Sequence, residues 1–541
     1  MKVLLVEPDY KNKYPPIGLM KISNYHKNKG DYVYFYKGIY KCDEIWDRIY
    51  ITTLFTFDYD KVIKTIRYYK EKVSTLENLF VGGILASLMT EDLKADTDVQ
   101  NLIPGQLTSS DLIGYNDNVN IDALPIDYDM LKDTNYSYPA SKNFIAYTTR
   151  GCVNKCFFCA VPNLEGSLSI TNNITKQITI LRNHYGDKKD LMLLDNNILG
   201  VSTQDLEKIV TDLNDLGFIK EKTYTYPNEI AIILRSYYRY LEHGKSTLQL
   251  LVDCKKYLYN LLNGKRISKN NKDRLAEIID YLEDSFDFFD ALEERYNEID
   301  SICSVYRNKI RYQRYVDFNQ GLDAREFTEE KISILSQLPL KPCRIAFDNI
   351  ELKDQYIKAL TTAHKYGINY FSNYLLYNAD FDKPEDLYLR IEVNIEIAEK
   401  LENIHLFSFP MKYAPIDKKD RLYIGKNWNK HYLRSIQAII NVTKGVVTQG
   451  RSFFKEAFGS NLDEYFNILA MPHDFIIYRN YYKSKGLTNE WLQLFSDLSA
   501  DEKTQLLEML SNSNYISNNK RLGPVLKYYQ LPYKYERLSL N

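Results

Sequence analysis

Nowhere in the 541 residues do 18 apolar residues run together, so no membrane-spanning helix is expected. No export signal is expected either. The opening Met1-Lys-Val-Leu-Leu-Val-Glu-Pro8 has a short apolar run and one Lys but no small-residue cleavage site, and it reads as a first strand. Cysteine is scarce: seven are spread over the chain. An odd number without an export signal fits a reducing compartment, where thiols serve as metal ligands or core residues rather than as disulfides. Cytoplasmic location is therefore the expectation. Net charge is nearly absent too. With 70 Lys and Arg against 71 Asp and Glu, the balance of −1 points to no particular partner.

What is present is ordinary globular usage, 45% apolar and 26% charged, over a length that calls for roughly two to four domains. The 47 Tyr, with many Asn and Lys, read as coding bias before recognition chemistry.

The first 125 or so residues alternate strands with helices. Lys2–Glu7, Tyr32–Tyr36, Ile49–Phe55 and Leu79–Val81 have strand character, and 16–29 and 59–72 have helical periodicity. That alternation implies a parallel sheet covered on both faces, a Rossmann-like domain. The Val81-Gly82-Gly83 turn reads equally as a place for a ligand to approach the backbone or as a tight strand exit. Residues 88–125 are polar and read as a connecting segment.

From 126 to 416 the pattern repeats. Phe144–Thr148, Leu191–Leu194, Tyr315–Phe318, Arg344–Phe347, Tyr370–Leu376 and His405–Phe409 are apolar runs. They end in polar residues, among them Thr149-Arg150, Asp195-Asn196-Asn197, Asn319-Gln320 and Asp348-Asn349. Helical stretches 204–216, 329–338, 354–366 and 385–401 separate them. Such β–α repeats suggest a barrel or partial barrel with its chemistry at the C-terminal strand ends. An open doubly wound sheet would place polar groups there too. An extra block at about 218–313 reads as helical, over 229–241, 247–262 and one long stretch 273–305. Its acidic run from Glu283 to Asp300 reads as a solvated helix face. Residues 417–541 read as helical with short breaks.

The strongest signal is Arg150-Gly-Cys152-Val-Asn-Lys-Cys156-Phe-Phe-Cys159 at the end of the first repeat strand. Thiolates are soft anionic ligands, and spacing this close lets one loop wrap an iron–sulfur cube. Three ligands leave one of its four irons open to a small molecule. A structural zinc site needs a fourth ligand, and the nearest downstream histidine is His184, beyond a helix. A disulfide would strand one thiol, and inert core cysteines have no reason to fall at this spacing.

With Phe158 before the last cysteine and a strand before the first, the motif resembles the radical S-adenosylmethionine (radical SAM) superfamily. Ala160 to Gly166, Leu194 to Asn197 and Ile121 to Tyr128 extend the resemblance to members whose core follows a Rossmann-like, cobalamin-binding-like domain. It covers about residues 1–416, specifically at the cysteines and loosely elsewhere. The family implies an α/β fold: the Rossmann-like domain (1–125), a partial TIM-type barrel (126–416) with the helical insertion, and a helical C-terminal region (417–541). It also implies a [4Fe–4S] cluster on Cys152, Cys156 and Cys159. The cofactor S-adenosylmethionine would be cleaved reductively to a 5′-deoxyadenosyl radical, with an external electron donor and an unidentified substrate.

By position, Phe158 would contact adenine. Asp195 and Asn196 stand where the family binds the cofactor's amino group, although the usual Gly-Gly-Glu is absent. Asn319, Gln320, Asp323 and Arg325 would hold ribose hydroxyls and the carboxylate, which an arginine can clamp. The plainer reading of Asp323 and Arg325 is a helix-cap Asp paired with a surface Arg. Asp348 is a ribose or substrate ligand, or a loop cap. Cobalamin-binding relatives carry Asp-x-His-x-x-Gly, whereas this N-terminal domain has only His26 and no such motif, so no cobalamin is expected.

Cys42, Cys254, Cys303 and Cys343 form no second triad and read as buried thiols; His431 and His473 read as structural. The tail mixes Lys520, Arg521, Lys527, Lys534 and Arg537 with Tyr528, Tyr529, Tyr533 and Tyr535. That could stack on RNA, but tyrosines packing on the body are the commoner outcome, so RNA is not the favoured partner. Two other activities remain: a methylthiotransferase-like RNA-modifying enzyme, against which stands the missing second triad, and a non-catalytic iron–sulfur module.

Overall fold

The computed structural model describes residues 1–41, 43–171 and 173–531. Cys42 and the tail residues Tyr533, Lys534, Tyr535 and Arg537 lie outside the described residues. The chain divides into two compact units, Met1–Gln320 with Gln337–Leu340, and Gly321–Ser336 with Lys341–Asn541.

The first unit opens with a parallel sheet of β1 (Lys2–Glu7), β2 (Tyr32–Lys37), β3 (Arg48–Thr53), β4 (Leu79–Gly83) and β5 (Asn101–Ile103) in the order β2-β1-β3-β4-β5. Every residue of β1 after Lys2 is buried, as a strand covered by helices on both faces requires. Leu4, Val6, Ile49, Ile51, Leu79 and Val81 pack against Val62 and Ile66 of the helix Tyr59–Lys70. The strand order reverses between β1 and β3, as in other doubly wound sheets.

Two elements fall in the stretch expected to be a connection: the helix Thr90–Thr97 and β5. The helix buries only Leu93 and Thr97 and so shows no apolar period. The first residue of the three-residue β5 is polar because the Asn101 amide donates to the Glu77 carbonyl at 2.7 Å. Gly83 has φ +100, and a Cβ there would lie 2.2 Å from the Thr53 carbonyl oxygen. The close approach at this turn is therefore to the neighbouring strand, a tight exit.

Next come β6 (Phe144–Ala146), β7 (Leu191–Leu193) and β8 (Val316–Phe318), three short parallel strands in the order β8-β7-β6. The helical block leaves and rejoins this region through an antiparallel ribbon, Thr223–Tyr224 against Tyr312–Gln313. It has its own core, including Ile230, Leu250, Leu258, Leu275, Ile278, Leu292 and Ile299. The helix expected over 273–305 is three: Lys269–Asp284, Phe288–Glu294 and Tyr296–Tyr306. The first break follows from Asp287, whose carboxylate accepts from the Phe289 and Asp290 amides and caps a new N-terminus. Phe289 turns inward while Phe286 stays fully exposed.

The second unit contains β9 (Cys343–Ala346), β10 (Tyr370–Tyr377) and β11 (His405–Lys412), parallel, with β12 (Val447–Thr448) antiparallel at the edge. That last strand occupies one of the short breaks in the helical run after 417. Two residues pairing with Phe407 and Ser408 leave no sequence period to read. Otherwise the region is helical, from Lys430–Val442 to Leu522–Leu526. Among the described residues no helix is long and apolar enough to cross a membrane.

Candidate functional site

The cysteine loop lies at a strand end within the first unit. Thr149–Arg150 pairs antiparallel with Ser169–Ile170, and the three thiols sit between these two short segments. Gly151 makes the turn possible. Its φ is +75, and a Cβ would stand 2.3 Å from the Ser167 carbonyl oxygen, a clash no side chain escapes.

Four charged groups hold the base of the loop. Arg150 donates to Asp122 at 2.5 and 3.0 Å and to Glu165 at 2.8 Å, and its guanidinium lies over the Tyr147 ring at 3.6 Å. Lys21 donates to Asp122 at 2.9 Å. Glu165 also accepts from the Gly151 amide at 2.9 Å and from the Asn196 side chain at 2.8 Å, so one carboxylate joins the turn, the guanidinium and the end of β7. Burial by itself would lower the Arg150 pKa, but Tyr147, Asp122 and Glu165 outweigh it and hold the group above its ordinary value. Burial would likewise raise the pKa of Asp122, yet Lys21 and Arg150 together hold it low.

Cys152, Cys156 and Cys159 are all half-buried. The Asn154 amide donates to Cys152 Sγ at 3.4 Å. The Cys159 amide donates to the Cys156 carbonyl at 3.0 Å. Phe158 is half-buried, edge-on to Phe157 at 5.3 Å. In this conformation no three His, Cys, Asp or Glu side chains among the described residues are gathered as a metal-holding set. The chemistry of the donors nevertheless fits an iron–sulfur group: three soft ligands on one loop, with an amide already directed at one sulfur.

Asp195 is buried and committed to its neighbours. Its carboxylate accepts from the Thr148 and Thr149 amides and hydroxyls at 2.5 to 3.1 Å, tying the end of β6 to the end of β7. Burial raises its pKa, against the pull of these donors. Asn197, two residues on, is buried with neither side-chain oxygen nor nitrogen hydrogen-bonded. It opens the turn that ends at Gly200, and a Cβ on Gly200 would lie 3.1 Å from Val153 of the cysteine loop. An orphaned side-chain amide of this kind is available to a ligand. Asn319 is buried after β8 and accepts from Tyr14 at 2.9 Å, and Gln320 is exposed.

The remaining candidates belong to the second unit. Asp323 accepts from the Arg325 amide at 3.0 Å and from its guanidinium at 2.6 and 2.9 Å, the cap-and-pair arrangement in which an exposed Arg contributes little. Asp348 follows β9. Burial pushes its carboxyl up to about 6, with Asp323 adding to the rise and Arg390 and Arg325 opposing it. Arg390, fully buried, donates to Asp382 at 2.5 Å and to the Phe347 and Asp348 carbonyls at 3.0 and 2.9 Å, fixing the end of β9.

Lys21, Asp122, Glu165, Asn197, Arg390 and Asp382 carry no role in the sequence reading. Asp122, Glu165 and Asn197 sit inside stretches that stand out by motif, but nothing in the sequence marks which group each would meet. His26 is buried, with Nδ1 on Asp31 at 2.7 Å and Nε2 on the Tyr50 hydroxyl at 2.9 Å, so both ring nitrogens are engaged. Cys254, Cys303 and Cys343 are buried. His431 stacks on His473 at 4.5 Å and bonds the Ala470 carbonyl. In the tail, Tyr529 donates to the same carbonyl at 2.7 Å and Tyr528 to Glu490 at 3.1 Å, so both pack on the body.

Together these features define a mixed α/β protein of parallel sheets and many helices with a three-thiol loop at a strand end. Comparison with family models found no match, and comparison with curated proteins found none. Among solved structures, the chain is similar to the radical S-adenosylmethionine methyltransferase TsrM from Kitasatospora setae, described with cobalamin and a [4Fe–4S] cluster bound. Identity there is 11% and the TM-score 0.42, over 77% of this chain and 76% of that one. It is also similar to OxsB, described as a cobalamin-dependent S-adenosylmethionine radical enzyme, at 12% identity and a TM-score of 0.36, over 94% and 70%. These likenesses are distant in sequence and in superposition.

Proposed function

We propose that the chain is a radical SAM enzyme with a partial-barrel core, in which Cys152, Cys156 and Cys159 would hold a [4Fe–4S] cluster. The observation that carries this reading is the loop itself: three thiols at one strand end, anchored by Arg150, Asp122 and Glu165, with an amide directed at Cys152 Sγ. Bound together, the cluster and S-adenosylmethionine would supply reductive cleavage of a sulfonium to a 5′-deoxyadenosyl radical, which takes hydrogen from a substrate that the sequence does not identify.

The protein's own residues position and shield. Glu165 fixes the turn at Gly151 and orients Asn196, leaving Asn196 and the orphaned Asn197 amide for the cofactor's polar end. Phe158 offers an edge to adenine. Asp195 acts as a positioning residue, since Thr148 and Thr149 engage its carboxylate. Asn319 and Gln320, which follow β8 in the same unit, are proposed for ribose hydroxyls. An external electron donor is required, and a cytoplasmic location belongs to the same reading.

Anaerobic reconstitution tests it. The protein should take up about four irons with matching sulfide, and Cys156→Ala should lose most of both. Dithionite and S-adenosylmethionine should then release 5′-deoxyadenosine. Unchanged iron in the Ala variant, or zinc in place of iron, overturns the proposal; iron without 5′-deoxyadenosine leaves a non-catalytic module.

A further inference from the structure

In the second unit, the helices Lys430–Val442, Arg451–Phe458, His473–Ile477 and Arg479–Ser484 surround a cavity of about 440 Å³. Its walls include Ile439, Phe453, Ala457 and Ile476, with Val442 and Ile477 at an exposed rim. That volume is in the range of pockets that enclose a small molecule.

One cation, Arg479, and one exposed carboxylate, Glu456, line it. Arg479 is half-buried, and its guanidinium makes no hydrogen bond and no ion pair among the described residues. Its charge partner is Glu456, an exposed carboxylate whose attraction is outweighed by burial, so the group sits below its ordinary pKa. A guanidinium has five donors, and leaving them dry is costly. Elsewhere in the same unit that cost is met: Arg390 has a carboxylate and three carbonyls. Arg479 has no protein acceptor among the described residues, and apolar walls stand beside it.

We propose that this cavity binds an amphiphilic anion, a small molecule with an apolar body and a single carboxylate or sulfonate head, the body among Ile439, Ala457 and Ile476 and the head on Arg479. A wholly apolar guest would strip water from the guanidinium without replacing it. A cation would meet like charge. A phosphate dianion would find one arginine and no further basic side chain in the lining. An anion with an apolar body satisfies both surfaces, because the guanidinium fork matches a carboxylate. The site does not depend on the iron–sulfur reading, whose thiols belong to the other unit.

Calorimetric titration of the full chain with decanoate, and in parallel with 1-decanol, tests this. Decanoate should bind saturably at one site. Arg479→Gln should weaken it about tenfold or more while leaving decanol unchanged, the loss expected for a charge-assisted bond at a partly buried site. Val442→Glu sets a carboxylate on an exposed rim position, where folding is not at stake, and should weaken decanoate more than decanol. Absence of saturable binding overturns the proposal. So does decanoate affinity unmoved by Arg479→Gln, or an equal loss of both probes in that variant.

Discussion

Asp348 and Arg390 show what a buried charge does at a strand end. The guanidinium is neutralised by Asp382 and saturated by carbonyls, and it leaves the Asp348 carboxyl short of compensation, which is why burial lifts that group to about 6. An acid whose pKa is raised on folding contributes fully below its unfolded value, and that contribution is lost as pH rises through the folded value. Asp348→Asn should therefore stabilise the protein at pH 7, by up to about 3 kcal/mol, and the gain should vanish near pH 4. Urea unfolding of both proteins across that range measures it, and a gain independent of pH would contradict the assignment.

At the scale of elements, the cysteine loop depends on one backbone conformation. Gly151→Ala puts a methyl against the Ser167 carbonyl in a region L-residues avoid, so the variant should lose at least about 2 kcal/mol of stability and also iron-loading capacity. Thermal unfolding and the iron-to-protein ratio report the two effects separately. The helical insertion depends on charge. Arg239 donates to the buried Asp129 at 3.0 Å, and Lys245 reaches Asp133 at 3.3 Å, bracing the block against the segment before β6. Arg239→Ala leaves Asp129 with less compensation and should cost about 3 kcal/mol. Proteolysis should then begin within 225–310. These braces escaped sequence reading because Asp129 and Arg239 are 110 positions apart, and each looks like a surface charge. The loop's thiols were legible because their partner is one another at short spacing.

On the scale of the whole molecule, the three tryptophans provide a map. Trp46 is buried in the N-terminal sheet domain, and Trp428 and Trp491 in the second unit; none lies in the insertion. Loosening the insertion by Arg239→Ala should thus lower far-UV helicity under mild denaturant with no shift in tryptophan emission, and a concurrent red shift would mean that the block does not open on its own. The sequence alone determined the layout that follows from periodicity: a leading parallel sheet, later β–α repeats interrupted by a helical block, helices towards the end, and the three cysteines. Each of those signals is local, repeating every two or three to four residues or lying within one loop. Only the tertiary structure decided that Asp195 serves Thr148 and Thr149, that Glu165 ties Gly151 to Asn196, that β5 and β12 exist, and that Arg479 faces an apolar hollow. Those outcomes depend on which distant groups meet when surface is buried, and a polar side chain carries no mark of its future partner until the fold brings the two together.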